Sequence, residues 1–274
     1  MADHYIPGKN AHIDTSDIEA ELAGLAGSDN GWSLDSDELA EAIYLRIDNR
    51  LHAYPSEPRP DAIVCRYMTL EKFVWFLSTK TVYFGDVSRF DDSHDCGLPL
   101  DFANAVMKFY FDRNCPPLCW DAYVQRRRRQ WLISCWTELD GNVDDYLLWY
   151  RYAGGPNGVA ITAGYQQLKE ALLPGLYKHG NKFDMVGNLC SGKVSYDDGL
   201  RLLPFNKRKM FENEKEVRFV GTTTSSSSCS VSVEDLFENM GLRLSPDASL
   251  FHQEAVLDLW RKFGGNDNVH IAGE

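Results

Sequence analysis

The sequence predicts an α+β fold, and three observations carry that prediction. Short β-favouring runs recur along the chain, among them IVCRY (63–67), TVYF (81–84) and VRFV (217–220). Amphipathic helical stretches lie between some of them, LEKFVWFLST (70–79) foremost. The two kinds of element do not alternate strictly, which disfavours a doubly wound parallel sheet. With 274 residues the chain can bury a sizeable core. We divide it into an acidic N-terminal extension over 1–60, holding one helix and a Pro-rich linker, and a single α+β domain over 61–274.

In chain order, the first helix is expected over 35–51, capped by Asp35, Ser36 or Asp37. The linker AYPSEPRPDA carries Pro55, Pro58 and Pro60. A strand over 63–67 follows, then a helix over 70–79 that Thr69 can cap and that sets Phe73, Val74, Phe76 and Leu77 at helical spacing. A strand over 81–84 ends in the acidic loop SRFDDSHDCG. Helix is expected over 100–130, including the basic run Arg126–Arg129, whose commonest role is a solvated face. A strand over 131–136, a turn at 140–142 and a helix over 144–152 come next, the last stopped by Gly154, Gly155 and Pro156. Strand 158–162, helix 165–172, strand 193–196, helix 200–212 and strand 217–220 lead to TTTSSSSCS, whose composition predicts a flexible tract. The chain closes on a strand at 242–244, a helix over 253–263 and a strand at 269–271.

Composition excludes several function classes. A net charge of −12 argues against broad binding to nucleic acid or to an anionic membrane. No apolar run approaches the about 18 residues that a membrane-crossing helix needs. The N-terminus lacks the basic and apolar regions of a secretory signal, and the seven cysteines are dispersed, so reduced thiols in a cytoplasm are expected. Cys115 and Cys119 have a spacing that zinc uses, but no second pair completes it, and no metal is assigned.

Three places carry polar groups that a plain core would not choose. Arg66-Tyr67 ends the opening strand; the plain reading is a solvent-facing arginine, the functional one a guanidinium clamp for phosphate or carboxylate. Ser134 lies between Ile133 and Cys135, where a small residue needs no function but can also brace a ligand or a carboxylate. No Gly-x-Ser-x-Gly surrounds it, which argues against a hydrolase nucleophile. In FENEKEVRFV (211–220), period two puts Glu216, Arg218 and Val220 on one face and Val217 and Phe219 on the other. Acids at a helix C-terminus oppose its dipole, so Glu214 and Glu216 stand out as chemical candidates. The plain alternative is a strand whose charges pair with nearby Arg and Lys. Asp91, Asp92, His94 and Asp95 can ligate a metal, although no HExxH or EF-hand spacing frames them. Neither a Walker loop nor GxGxxG is present, and Gly154–Gly158 is a helix stop.

The ordered stretches CRYMTLEKFVWFLSTKTVYFGDVSRFDDSHD, SCW, LLWYRYAGGPNGVAI, KVSY and FENEKEVRFV resemble a widespread bacterial domain family named as being of unknown function. Its pattern is an R/H-Y strand, an F-N-D-P-x-E loop, an S-F/W strand, a W-x-x-Y-A…G-V unit and an E-x-E-x-R strand. The likeness covers roughly residues 63–273, tail included. This chain departs from it at Asp91, Ser93 and Asp95. A looser resemblance joins it to ADP-ribosyltransferases of the arginine-serine-glutamate kind, which implies a central mixed or antiparallel split sheet with flanking helices. On that resemblance Arg66 contacts the dinucleotide, Ser134 braces the site, and Glu216 is the catalytic acid with Glu214 before it. Tyr67, Tyr83 or Trp149 would stack on a ring, and Arg218 would join the binding set.

The function expected from the resemblance is an NAD-using ADP-ribosyltransferase or NAD glycohydrolase, with NAD as substrate, acting in the cytoplasm as a bacterial toxin or phage-defence effector. A fixed carboxylate suits the oxocarbenium-like state of nicotinamide loss. Two alternatives stand beside it: a non-catalytic sensor that binds a nucleotide or acidic metabolite through Arg66 and Arg218, and a metal-dependent nuclease built on the 91–95 loop. A macromolecular acceptor is a partner only of the transferase.

Overall fold

The computed structural model describes residues 55–90, 92, 95–96, 128–139, 146–173, 190–196, 203–222 and 228–272. The helices expected at 35–51 and over most of 100–130, the Cys115/Cys119 pair, Asp91, His94 and the turn at 140–142 lie outside the described residues.

A nine-stranded sheet organises the described residues, and it bears out the α+β class. Its strands are β1 (Ile63–Met68), β2 (Thr81–Asp86), β3 (Trp131–Glu138), β4 (Val159–Gly164), β5 (Cys190–Lys193), β6 (Glu216–Thr222), β7 (Ser228–Ser232), β8 (Gly241–Leu244) and β9 (Val269–Ile271). The order runs β5-β6-β3-β1-β4-β8-β9, with β2 pairing both β3 and β7. Every pairing is antiparallel except β8 with β9.

The helices are α1 (Leu70–Thr79), α2 (Tyr146–Tyr152), α3 over 165–173 and α4 (Leu250–Lys262). In α1, Phe73, Phe76 and Leu77 turn inward as their spacing dictates, whereas Val74, grouped with them by sequence, faces solvent. Thr69 occupies the N-cap position but makes no side-chain cap bond. Lys80 ends the helix in the left-handed conformation, where its N–H reaches the carbonyl of Phe76.

Period two divides the sheet into unlike faces. The first face carries Val64 and Met68 of β1, Leu132 and Trp136 of β3, Val159 and Ile161 of β4, and Val217 and Phe219 of β6. Helices α1, α3 and α4 cover it through Phe73, Leu168 and Trp260, which form one continuous apolar core. The second face is more polar. There α2 packs Leu148 and Trp149 against Cys65, Tyr67 and Ala160 in a smaller cluster, and Glu216 and Arg218 lie buried.

The middle of the sheet forks. The start of β3 pairs with β2 at Leu132 and Ile133, and its end pairs with β1 at Thr137 and Glu138. Between those ladders, Ser134, Cys135 and Trp136 have no strand partner on that edge, although their other edge is fully paired with β6.

Several expectations need correction. The strand placed at 193–196 lies at 190–193, and Ser195 only bridges Asn206. The helix expected over 200–212 is two 3-10 turns in its described part, Leu203–Phe205 and Lys209–Glu214. Part of the Ser-rich tract is the ordered strand β7, because β2 offers it a full ladder. Residues just before the expected 60/61 boundary contact the domain: Pro55 and Pro58 are buried, the Ser56 carbonyl accepts from the Lys193 N–H, and Lys169 pairs with Glu57 at 2.6 Å. Arg128 is buried rather than solvated, with its Nη2 donating to the Asp92 carbonyl.

Phe219 sits on a central strand, fully buried, with its ring tilted against Tyr165 at 5.9 Å between centroids. Phe219→Ala is expected to lower unfolding free energy by about 3–5 kcal/mol in urea titration. A loss under about 1 kcal/mol would show that the first-face core does not depend on β6.

Candidate functional site

On the second face, the 3-10 turn Lys209–Glu214 ends at Lys215, whose left-handed φ of 43° redirects the chain into β6. That turn sets Glu214 and Glu216 beside the same cation. Lys207 Nζ lies 2.6 Å from Glu214 Oε2, 3.0 Å from Glu216 Oε2 and 3.8 Å from Asp95 Oδ2. Arg218 fills the other side. Its Nε donates to Glu216 Oε1 at 2.8 Å and its Nη2 to both oxygens of Asp95 at 2.8 and 2.9 Å. Nη2 also reaches Glu216 Oε2, and Nη1 donates to the Pro204 carbonyl and to Cys96 Sγ.

The ionisation of this cluster follows from its charges. Burial alone would raise the Glu216 carboxyl, but Arg218 and Lys207 outweigh it and bring the pKa down to about 2. Burial would pull Lys207 down, and the Glu216 charge reverses that to a raised value. For Cys96, burial pushes the thiol well up, so it is not a nucleophile at neutral pH. The remaining acid, Glu214, accepts from the Tyr152 hydroxyl at 2.8 Å and pairs with Arg151 at 3.1 Å. Phe211 lies under three cations, with Arg151, Lys207 and Arg208 at 4.5, 5.0 and 5.4 Å from its ring centre.

A cavity of about 1190 Å³ opens beside this cluster at one end of the sheet. Glu216, Tyr196, Lys193, Glu138, Arg243 and His270 border it. The Glu216 carboxylate itself is 95% shielded from solvent, and both its oxygens already accept bonds from cations. Little acceptor capacity is left for a substrate hydroxyl.

On the opposite face lies Arg66. Its Nη1 donates to Ser134 Oγ at 2.9 Å and its Nη2 to the Tyr83 carbonyl at 3.1 Å. The guanidinium thereby fills the fork and satisfies a carbonyl of β2 at the gap. Ser134 Oγ accepts a second bond from Trp136 Nε1 at 3.0 Å, and the Trp136 ring lies 5.9 Å from the guanidinium carbon. Both hydrogen-bond acceptors of Arg66 are neutral. Desolvation holds its pKa below the ordinary value, and among the described residues only Cys135 and Tyr83 act against it. The residue is half-buried, and two of the five guanidinium donors are used by these acceptors.

The sequence-predicted residues therefore fall into two groups. Arg66 and Ser134 meet on the first face, with the Tyr83 carbonyl. Glu214, Glu216 and Arg218 meet on the second. The register explains the division: Ser134 pairs with Phe219 and Cys135 with Arg218, so Ser134 and Glu216 project from opposite sides of the sheet. Arg66, Ser134 and Glu216 do not form one constellation. Tyr67 and Trp149 pack edge to face at 4.9 Å and are buried, which leaves neither ring open to stack on a ligand. Tyr83 remains partly exposed. In the acidic loop, Asp92 pairs with Arg208 at 3.0 Å and Asp95 with Arg218. Among the described residues no group of three or more His, Cys, Asp or Glu side chains could hold a metal ion. Lys207 and Tyr152 were missed because their role appears only when residues far apart in sequence meet.

No protein-family profile matches the chain, and neither the curated proteins nor the solved structures contain a match. Among the described residues no helix is long and apolar enough to cross a membrane.

Removing one partner of a buried pair strands the other charge. Glu216→Gln is therefore expected to cost about 3–5 kcal/mol of unfolding free energy, measured by denaturant titration. A variant as stable as the parent would show that Arg218 and Lys207 do not depend on it. The Glu216 pKa is depressed below the ordinary 4.5, so its contribution is present above pH 4.5. It is lost as pH falls from 4.5 through about 2. Melting temperature should decline across that window, and the decline should be shallower in Glu216→Gln.

Proposed function

We propose that the protein binds a phosphate-bearing nucleotide, NAD or a related dinucleotide, at the fork of the sheet, with Arg66 as the anion contact, and that it acts as a binding module. One observation carries this reading: Arg66 is a desolvated, half-buried guanidinium whose hydrogen-bond acceptors are the neutral Ser134 Oγ and Tyr83 carbonyl. An anion would supply a countercharge and accept from the donors that Ser134 and the Tyr83 carbonyl leave unused. Arg218 makes no comparable offer, since its whole donor fork is engaged inside the second-face cluster.

A second reading, NAD turnover of the ADP-ribosyltransferase or glycohydrolase kind, is favoured by one specific observation. The glutamate, serine and arginine strands lie side by side in the order β6-β3-β1. Against it stand the opposite faces of Ser134 and Glu216 and the saturated carboxylate of Glu216. A role as toxin or defence effector, and a macromolecular acceptor, rest on the resemblance alone and go with this second reading.

Calorimetric titration with NAD and with ADP tests the first reading. Arg66→Gln keeps a polar group at the fork and removes the charge, so affinity should fall roughly 10- to 150-fold, the value of a charge-assisted hydrogen bond. Unchanged affinity in the variant would remove Arg66 from the site. Chromatographic detection of nicotinamide in the same mixtures separates the readings. Nicotinamide release would establish turnover, whereas binding without release supports the module.

A further inference from the structure

Helix α1 exposes two large apolar residues that its amphipathic pattern does not account for, Val74 and Trp75, and of these only Trp75 offers a ring. Phe73, Phe76 and Leu77 face the core, while Glu71, Lys72, Ser78 and Thr79 lie in solvent. Trp75 belongs to the solvent side, with 40% of its surface exposed. The backbone beneath it is fixed, because its carbonyl accepts from Ser78 Oγ and Thr79 Oγ1, each at 2.9 Å. The ring is fixed as well: Tyr83 meets it edge-on, with centroids 6.4 Å apart and planes at 86°. An edge-on neighbour braces an indole without covering both its faces. Tyr83 is also the residue whose carbonyl holds Arg66. One residue thus connects an anion-seeking guanidinium to an exposed, braced aromatic ring.

We infer that the ligand at the fork carries an aromatic base and that Trp75 is the surface on which the base stacks. This rests on the assignment of Arg66 as the anion contact and adds to it the residue that holds the base. The division of labour is electrostatic at one end and dispersive at the other. Arg66 takes the phosphate, and Trp75 offers a π-face that purine and nicotinamide rings alike can use. Base–aromatic stacking is worth about 1–3 kcal/mol per base.

The test compares ADP with inorganic pyrophosphate, which lacks a base, on the full chain. The parent protein should bind ADP more tightly than pyrophosphate and show quenched tryptophan fluorescence with ADP alone. Trp75→Ala should weaken ADP roughly 5- to 150-fold, abolish that quenching and leave pyrophosphate binding as it was. Because Trp75 is on the solvent side of α1, its melting temperature should match the parent's. If Trp75→Ala binds ADP like the parent while Arg66→Gln weakens both ligands, the base lies elsewhere and the anion site stands. If Arg66→Gln alters neither ligand, the anion site fails and the stacking assignment fails with it.

Discussion

The second face of the sheet is arranged around the guanidinium of Arg218. It has no exposure to solvent, so each donor must find an acceptor inside the protein. The acceptors come from three separate stretches: Asp95 and Cys96, Pro204, and Glu216 on its own strand. None of these can shift without stranding a charge. Lys207 then neutralises what Arg218 leaves over and ties in Glu214, which in turn engages Tyr152 and Arg151. Burying such a network does not add much net stability relative to an apolar core, because desolvation offsets the Coulomb gain. The network fastens the 203–216 segment at Pro204, Lys207, Glu214 and Glu216.

Arg66 and Arg218 show how environment decides the work of one residue type. Both project from strands near the middle of the sheet and both are at least partly desolvated. Arg218 is met by carboxylates and becomes part of the frame. Arg66 projects from the other face into the gap of the fork, where the neighbours are a hydroxyl, a carbonyl and an indole ring. A cation among neutral partners keeps its attraction for an anion, whereas a saturated one does not.

Much of the fold was legible in the sequence, and the legible parts share a cause. Helix α1 and strand β9 have the expected bounds because a dense apolar pattern marks them. The alternation in VRFV assigned the faces of β6 correctly, since period two is a property of the strand itself. What escaped was set by partners distant in sequence. Strand β7 forms from serines because β2 supplies its ladder. The segment before Glu214 is held in 3-10 turns, with Phe211 packed under cations and Asn206 bridged to Ser195, so its helical composition does not prevail. The candidate site was half legible. Arg66 and Ser134 do meet, but no local pattern revealed that Glu216 would be saturated by Lys207 and Arg218, or that Tyr67 and Trp149 would close on each other.

The fork has a mechanical side. Among the described residues, strands β2 and β7 join the rest of the sheet by ladder pairing only at Gly85 and Asp86, with Arg66 bonded across the gap beside them and Val82, Phe84 and Val231 packed into the first-face core. The pair is therefore tied to the sheet by backbone at one end and by side chains along its length, apolar packing on one face and a guanidinium across the gap. Whatever draws Arg66 away from the Tyr83 carbonyl would loosen the polar tie and leave the apolar one in place.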